Sequence, residues 1–325
     1  MRLEARIERW PLAGAFVISR GAKIHVEVVA VTVEAGGARG RGEGTPIYYH
    51  GETAEGVLAQ VEAVRPALEQ GLDRAGLLQA LPRGAARNAL DAALWDWEAK
   101  RSGVPAWRLA GLAVPAPLLT ALTISLGSPE RMEADARAAA RLPLLKLKLA
   151  GEGDCERVAA VRRGAPDARL IVDANEAWTG RDVAAEAAAL VPFGVELIEQ
   201  PVRAGEDVLL DGVASPIPLC ADESCQDRAD LDRCRGRYRA INIKLDKCGG
   251  LTEALALRDA ARAQGFAVMV GCMLGTSLGI APATLAAAGA EWIDLDAPLL
   301  LAKDRPHGLT AERGLLSPAA PALWG

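Results

Sequence analysis

The sequence is poor in histidine, has no paired-cysteine motif and carries no excess of positive charge, and each shortage removes a class of function. Its three histidines (25, 50 and 307) lie outside the apolar runs that read as strand ends, which argues against a histidine-ligated metal barrel. The six cysteines (155, 220, 225, 234, 248 and 272) show no CxxC spacing, and the opening MRLEARIERW is too charged for a secretory leader. The expectation is a reduced, cytoplasmic enzyme or binding protein. A net charge of −5 and a pI near 5.5 offer no basic field for a phosphate backbone or an anionic membrane, so no nucleic-acid and no membrane partner is expected. Glycines 37, 40, 42 and 44 do not form GxGxxG and no helix follows them directly, so they read as hairpin glycines rather than a nucleotide loop. One uncharged run, residues 266–290, is long enough to cross a bilayer. Its four glycines, Pro282 and several hydroxyl side chains instead suit a buried strand, a loop and a short helix.

What is present is a long, apolar chain. With 325 residues and 50% hydrophobic content it can hold one barrel of about 250 residues plus a smaller lobe. The first third reads as α+β: IHVEVVAVTVE (24–34) alternates as a strand, AGGARG turns it and RGEGTPI returns. Two helical patterns follow, the second, GAARNALDAALWDWEAKRSG, ending in Lys100, Arg101 and Gly103 as helix stops require. Trp95 and Trp97 read as core aromatics. From about residue 118 a short apolar run with a polar end and an alanine-rich helix repeats. The chemically loaded members are Lys148, Asp173, Glu199, Asp222, Lys244, Cys272 and Asp294, spaced by 25, 26, 23, 22, 28 and 22 residues. That step is one strand plus one helix, and it predicts a parallel (β/α)8, TIM-like barrel. An open doubly wound sheet shares the step, but polar residues at nearly every strand end favour the barrel, whose sites form there.

In LLKLKLA (144–150), Lys146 and Lys148 are two apart on one strand, share a face and point into the barrel mouth. Each raises the cost of charging the other, and a lysine with a lowered pKa serves as a base near neutral pH. Lys244 supplies a second amine across the barrel. Asp173, Glu199 and Asp222 end three consecutive strands. Three acids converging in an apolar mouth repel one another unless a cation joins them, and oxygen-only ligands favour a hard ion such as Mg²⁺. With an amine on either face of a carbon next to a bound carboxylate, one lysine removes the α-proton and the other returns it from the opposite side, Lys146 stabilising the charge between. The expected reaction is a 1,1-proton transfer, a racemisation or epimerisation.

KLK, IVDANEAW, IEQP, CADES and INIKLDKCGG together resemble the enolase superfamily, muconate-lactonizing subgroup, across nearly the whole chain. The resemblance implies a modified (β/α)8 barrel (113–299) with an N-terminal α+β capping domain (1–112), joined by the C-terminal tail (about 300–325). It also implies a lysine base working with Mg²⁺. Within the subgroup, GAARNALDAALWD, GRYRAINIKLDKCGGLTEALAL and GCMLGTS resemble the dipeptide epimerases that act on L-Ala-D/L-Glu, which invert the second residue in cell-wall-derived dipeptides. By that likeness Asp294 and Asp296 in WIDLDAP hold the substrate's α-ammonium, Thr123 and Cys272 touch substrate, and Arg20 in FVISRG meets the glutamate side chain. Where close relatives show a loop like PYPRYGE this chain has PIYYHGE, with Tyr48, Tyr49 and His50, which puts the preferred dipeptide in question more than the reaction. The rival readings are an N-acylamino acid racemase or cycloisomerase of the same superfamily, a Schiff-base lysine aldolase and a non-catalytic binder. A homo-oligomer is compatible with all of them.

Overall fold

The computed structural model describes residues 1–18 and 21–325. Its first element is one the sequence reading passed over: β1 (Arg2–Ile18), followed by β2 (Gly21–Ala35) and β3 (Ala38–Gly44), forms an antiparallel sheet in the order β1-β2-β3. The period-2 signal is there, with Leu3, Ala5 and Ile7 alternating with Arg2, Glu4, Arg6 and Glu8. The apolar face packs on α1 (Ala54–Glu69), α2 (Arg74–Ala80) and α3 (Ala85–Ser102) through Val29, Val31, Val33, Val57, Val61 and Leu90.

The hairpin glycines divide into two kinds. Gly36 and Gly37, with φ of 58° and 77°, make the turn. Gly40, Gly42 and Gly44 instead lie within β3, on its side against α3. A Cβ built on them would come 2.1 Å from the carbonyl oxygens of Ala93, Ala89 and Ala85 respectively. Alternate glycines on the strand thus admit every fourth residue of the helix, backbone against backbone. We expect Gly42→Ala to lower stability by roughly 1–3 kcal/mol, because the helix must shift to admit the methyl. Thermal denaturation checks this, and an unchanged melting temperature would mean the helix is not seated on the strand.

α3 joins this lobe to the rest. Arg87 donates to the carbonyls of Cys248 and Gly249 at 2.6 and 3.1 Å, and Trp95 Nε1 donates to Thr252 Oγ1 at 3.0 Å. After the short α4 (Ala106–Leu109) and β4 (Leu118–Leu119) comes the repeating unit. Its eight parallel strands are β5 (Leu122–Ile124), β6 (Leu144–Lys148), β7 (Arg169–Asp173), β8 (Val195–Glu199), β9 (Leu219–Ala221), β10 (Ala240–Ile243), β11 (Ala267–Gly271) and β12 (Trp292–Asp294), each paired with the next. The seam between first and last is bridged by Ala121 N donating to Ile293 O at 2.8 Å. Helices α5 (Pro129–Ala138), α6 (Asp154–Gly164), α7 (Val183–Leu190), α8 (Leu231–Cys234), α9 (Leu245–Cys248), α10 (Leu251–Ala263) and α11 (Ser277–Ala286) fill the connections. The long uncharged run is β11, a loop and α11, and among the described residues no helix is long and apolar enough to cross a membrane. The chain ends in β13 (Ala311–Glu312) and β14 (Leu315–Leu316), the latter paired with β4. Trp324 Nε1 then donates to Ala92 O of α3 at 2.9 Å.

Alternation along the barrel strands separates two cores. Leu145, Leu147, Leu170, Val172, Ile198, Ile241, Ile243, Val268 and Val270 face the helices. Ala121, Leu144, Ile171, Leu197, Cys220, Ala240 and Met269 close the barrel interior as an apolar floor.

Candidate active site

Two residues beyond six of the seven floor positions, the same inward face becomes polar. Leu144 gives way to Lys146 and then Lys148, Ile171 to Asp173, Leu197 to Glu199, Cys220 to Asp222, Ala240 to Asn242 and then Lys244, and Ala121 to Thr123. The polar side chains therefore sit at the C-terminal ends of the strands, above a dry base. Thr123 is partly buried and the others are buried: Asp173, Glu199, Asp222 and Lys146 expose 1% or less of their surface.

The charges form a chain of alternating sign. Lys148 Nζ pairs with Asp173 Oδ2 at 2.6 Å. Lys146 Nζ reaches Glu199 Oε2 at 2.5 Å, Asp294 Oδ2 at 2.8 Å and Asp173 Oδ2 at 3.4 Å. Lys244 Nζ lies 2.6 Å from Asp222 Oδ2 and 3.9 Å from Glu199 Oε1. β6 and β10 are four strands apart in a ring of eight, so Lys148 and Lys244 stand on opposite walls. Both line a cavity of about 240 Å³, with Lys146, Thr123, Cys272, Asp294 and Asp296.

Here one sequence expectation is corrected. Lys146 and Lys148 on one strand predict lowered pKa values, yet Lys146 goes the other way, as does Lys244 across the barrel. Burial pulls both down, but Asp294, Glu199 and Asp173 around Lys146, and Asp222 and Glu199 around Lys244, outweigh it and hold both ammoniums well above the ordinary lysine value. Carboxylates from neighbouring strands, not the adjacent lysine, dominate the local field. The acids are split by the same competition. Burial and repulsion from Asp173 push Glu199 up. For Asp173 and Asp222 burial is overcome, by Lys148 and Lys146 in one case and by Lys244 and Lys247 in the other, and both carboxyls lie low.

Asp173, Glu199 and Asp222 fit a hard cation by donor type, being oxygen ligands on the consecutive strands β7, β8 and β9. They converge closely enough that one ammonium, that of Lys146, touches the first two, and another, that of Lys244, touches the last two. Among the described residues no three carboxylate, thiol or imidazole groups already stand at coordinating distance, and lysines fill the gaps between the acids.

Asp294 ends β12 and Asp296 follows two residues on. Asp296 Oδ2 accepts from Thr123 N at 2.7 Å, while Asp294 Oδ1 is buried with no hydrogen-bond partner among the described residues. Burial, and then the neighbouring Asp294, raise the pKa of Asp296, so a cation placed between the two would relieve both. Cys272, one residue past β11, directs Sγ at Asp294 O at 3.4 Å. Burial and the two acids push its thiol well up, unlike a nucleophilic cysteine. Arg20 lies outside the described residues.

The sequence reading missed three supports. Asn242 Nδ2 donates to Glu199 Oε1 at 2.7 Å; its place two before Lys244 was the available signal. Lys247 Nζ pairs with Asp222 Oδ1 at 2.7 Å and donates to the carbonyls of Cys225 and Asn242 at 2.8 and 2.9 Å. Gln200, in IEQP, has φ of 36°, and its Oε1 accepts from Asp222 N and Ser224 N at 2.9 and 3.1 Å. Left-handed backbone held by a buried amide aims the loop that carries Asp222.

Comparison with known proteins gives the family and several relatives of the chain. Residues 2–111 match the "Mandelate racemase / muconate lactonizing enzyme, N-terminal domain" family, and residues 131–318 match "Enolase C-terminal domain-like". The chain is 47% identical over 311 residues to the L-Ala-D/L-Glu epimerase of Escherichia coli (strain K12), covering 95% of this chain and 97% of that one. It is also 47% identical over 249 residues to an N-acetyl-D-glutamate racemase from a Pseudoalteromonas species, covering 77% and 79%. The crystal structure of an enolase family member from Agrobacterium tumefaciens with homology to dipeptide epimerases, with bound sodium and L-Ala-L-Glu, superposes with a TM-score of 0.97 at 49% identity, covering 99% of each chain.

Proposed function

The chain belongs to the mandelate racemase / muconate lactonizing enzyme family of the enolase superfamily, and from that premise we propose that it is a dipeptide epimerase inverting the α-carbon of the second residue of L-Ala-D/L-Glu. The observation that carries this reading is the pair of lysines on opposite walls, Lys148 and Lys244, flanking a triplet of carboxylates.

In this reading Asp173, Glu199 and Asp222 hold Mg²⁺, which when bound supplies the positive charge that fixes a substrate carboxylate and makes the adjacent proton acidic. Lys148 and Lys244 act from either face of the α-carbon, one taking the proton at its Nζ and the other delivering one, so configuration inverts. Lys146, between Glu199 and Asp294, faces the negative charge that develops as the proton leaves. Asp294 and Asp296 receive the α-ammonium. The apolar floor and the cap keep bulk water from the reacting carbon.

The test is epimerisation of L-Ala-L-Glu with Mg²⁺, followed by NMR, against N-acetyl-L-glutamate. The likeness to an N-acetyl-D-glutamate racemase favours a second reading, which faster turnover of the acylated amino acid would establish. The paired acids separate the two. Asp296→Asn is expected to raise KM for the dipeptide about 10- to 100-fold, as the loss of a charged hydrogen bond implies, and to leave N-acetylglutamate turnover near its starting value. An equal effect on both substrates would contradict the ammonium-pocket assignment.

A further inference from the structure

The two lysines on opposite walls are seated in different ways. The turn that follows Lys148 is held from within the barrel: Leu149 N donates to Asp173 O at 2.9 Å, and Ala150 N and Gly151 N donate to the carboxylate of Asp154 at 2.9 and 2.8 Å. Lys244 instead follows β10 and opens α9, its carbonyl accepting from Lys247 N and Cys248 N at 3.0 and 3.1 Å. The middle of that single helical turn is fixed by the cap. Asp246 Oδ1 accepts from Thr45 N and from Asn88 Nδ2, both at 2.8 Å. Thr45 directly follows β3, and Asn88 lies on α3.

Asp246 is a partly buried acid that the chemistry above does not use. Asp222 is neutralised by Lys244 and Lys247, whereas Asp246 forms no ion pair among the described residues. Burial pushes its carboxyl up to about 7, against the two hydrogen bonds from the cap, and Glu52 and Glu43 add to the rise. Its polar partners are thus the two cap donors, and removing the acceptor leaves Thr45 N without its partner. Asp246 does not line the cavity that holds Lys148 and Lys244, so it acts on a substrate only through its neighbours. Arg87 anchors the far end of the same turn through the carbonyls of Cys248 and Gly249. With that anchor in place, loss of Asp246 changes the aim of the turn rather than its attachment.

We infer that Asp246 is a positioning residue: by accepting from Thr45 and Asn88 of the cap it fixes the turn that aims Lys244 at the α-carbon, whereas Lys148 is aimed from within the barrel. The inference rests on the epimerase reading. Its consequence is that the cap supports one of the two proton transfers and not the other.

The experiment follows α-deuterium uptake from D₂O at saturating Mg²⁺, with L-Ala-L-Glu and L-Ala-D-Glu as separate substrates. It compares the unaltered protein with Lys244→Arg, Asp246→Ala, Asp246→Asn and Asn88→Ala. Lys244→Arg identifies the stereoisomer whose exchange depends on Lys244. Asp246→Ala is expected to slow exchange of that stereoisomer about 10- to 100-fold, the cost of misplacing a reacting group by about 1 Å, and to leave the other nearly unchanged. Asp246→Asn keeps an acceptor oxygen for Thr45 N and is expected to restore most of the rate. Equal slowing of both stereoisomers, slowing of the Lys148-dependent one alone, or no slowing would overturn the inference. So would an Asp246→Asn protein as slow as Asp246→Ala. If Asp246→Ala does not fold, Asn88→Ala carries the same test by removing one of the two cap donors: the same one-sided slowing is expected, and equal or absent slowing overturns the inference. Inversion by the unaltered protein with no asymmetry in the variants would remove the inference and leave the epimerase reading standing. An unaltered protein that exchanges neither stereoisomer would remove both.

Discussion

Lys148→Ala or Lys244→Ala is expected to abolish inversion of L-Ala-L-Glu, with kcat falling by at least about 10²- to 10⁴-fold, the usual worth of one positioned proton-transfer group. Neither lysine is needed to complete the apolar floor, and both lie at the open end of the barrel above it. Each neutralises a buried acid, however, Asp173 in one case and Asp222 in the other, and removing one partner of a buried pair is destabilising. Lys→Arg variants are therefore the companion test. They keep the positive charge beside the carboxylate, but guanidinium does not release a proton in the working range. Loss of activity in both Ala and Arg variants, with the Arg proteins melting near the unaltered temperature, assigns the loss to chemistry. A single variant that still inverts substrate at near-normal rate contradicts the two-base scheme.

The second large effect concerns the carboxylate triplet. Stripping divalent ions with EDTA is expected to eliminate epimerisation and Mg²⁺ to restore it. Asp222→Asn should not be rescued at Mg²⁺ concentrations that saturate the unaltered protein, since a hard cation loses a charged oxygen. The same substitution leaves Lys244 and Lys247 facing a neutral amide where each had an ion pair at 2.6 and 2.7 Å. A stability loss of about 3–5 kcal/mol is then expected from the uncompensated buried charge alone. Metal affinity must for that reason be read on folded protein, by calorimetric titration below the melting range. Full activity after chelation, or borohydride trapping of substrate on Lys148 or Lys244, would point to Schiff-base chemistry and sink the metal assignment.

The parts of this site that could be read from sequence are those written within one strand. Period-2 alternation in LLKLKLA places Lys146 and Lys148 on one face, and the recurring 22- to 28-residue step brings Asp173, Glu199, Asp222 and Lys244 to the same end of the barrel. Interactions across the barrel could not be read in this way. Lys146 binds Asp294 from 148 residues away, and that contact, with Glu199 and Asp173, reverses the pKa direction that two adjacent lysines suggest. Lys247 and Gln200 hold Asp222 through backbone groups whose positions only the folded loops define. In the cap, β1 carries charges of both signs on its open face, which masks an otherwise regular strand. Gly40, Gly42 and Gly44 have the composition of a turn but serve a helix that arrives some 45 residues later. The family resemblance covered these gaps for the fold.

The central claim is that two amines act on one carbon from opposite faces, and the measurement that meets it most directly is α-deuterium incorporation from D₂O into each stereoisomer separately. The unaltered protein should exchange the α-proton of both L-Ala-L-Glu and L-Ala-D-Glu. Lys148→Arg and Lys244→Arg should each retain exchange in one stereoisomer and lose it in the other, with opposite preferences. Loss of exchange from the same stereoisomer in both variants, or retention of both in either, would contradict the opposed-base arrangement.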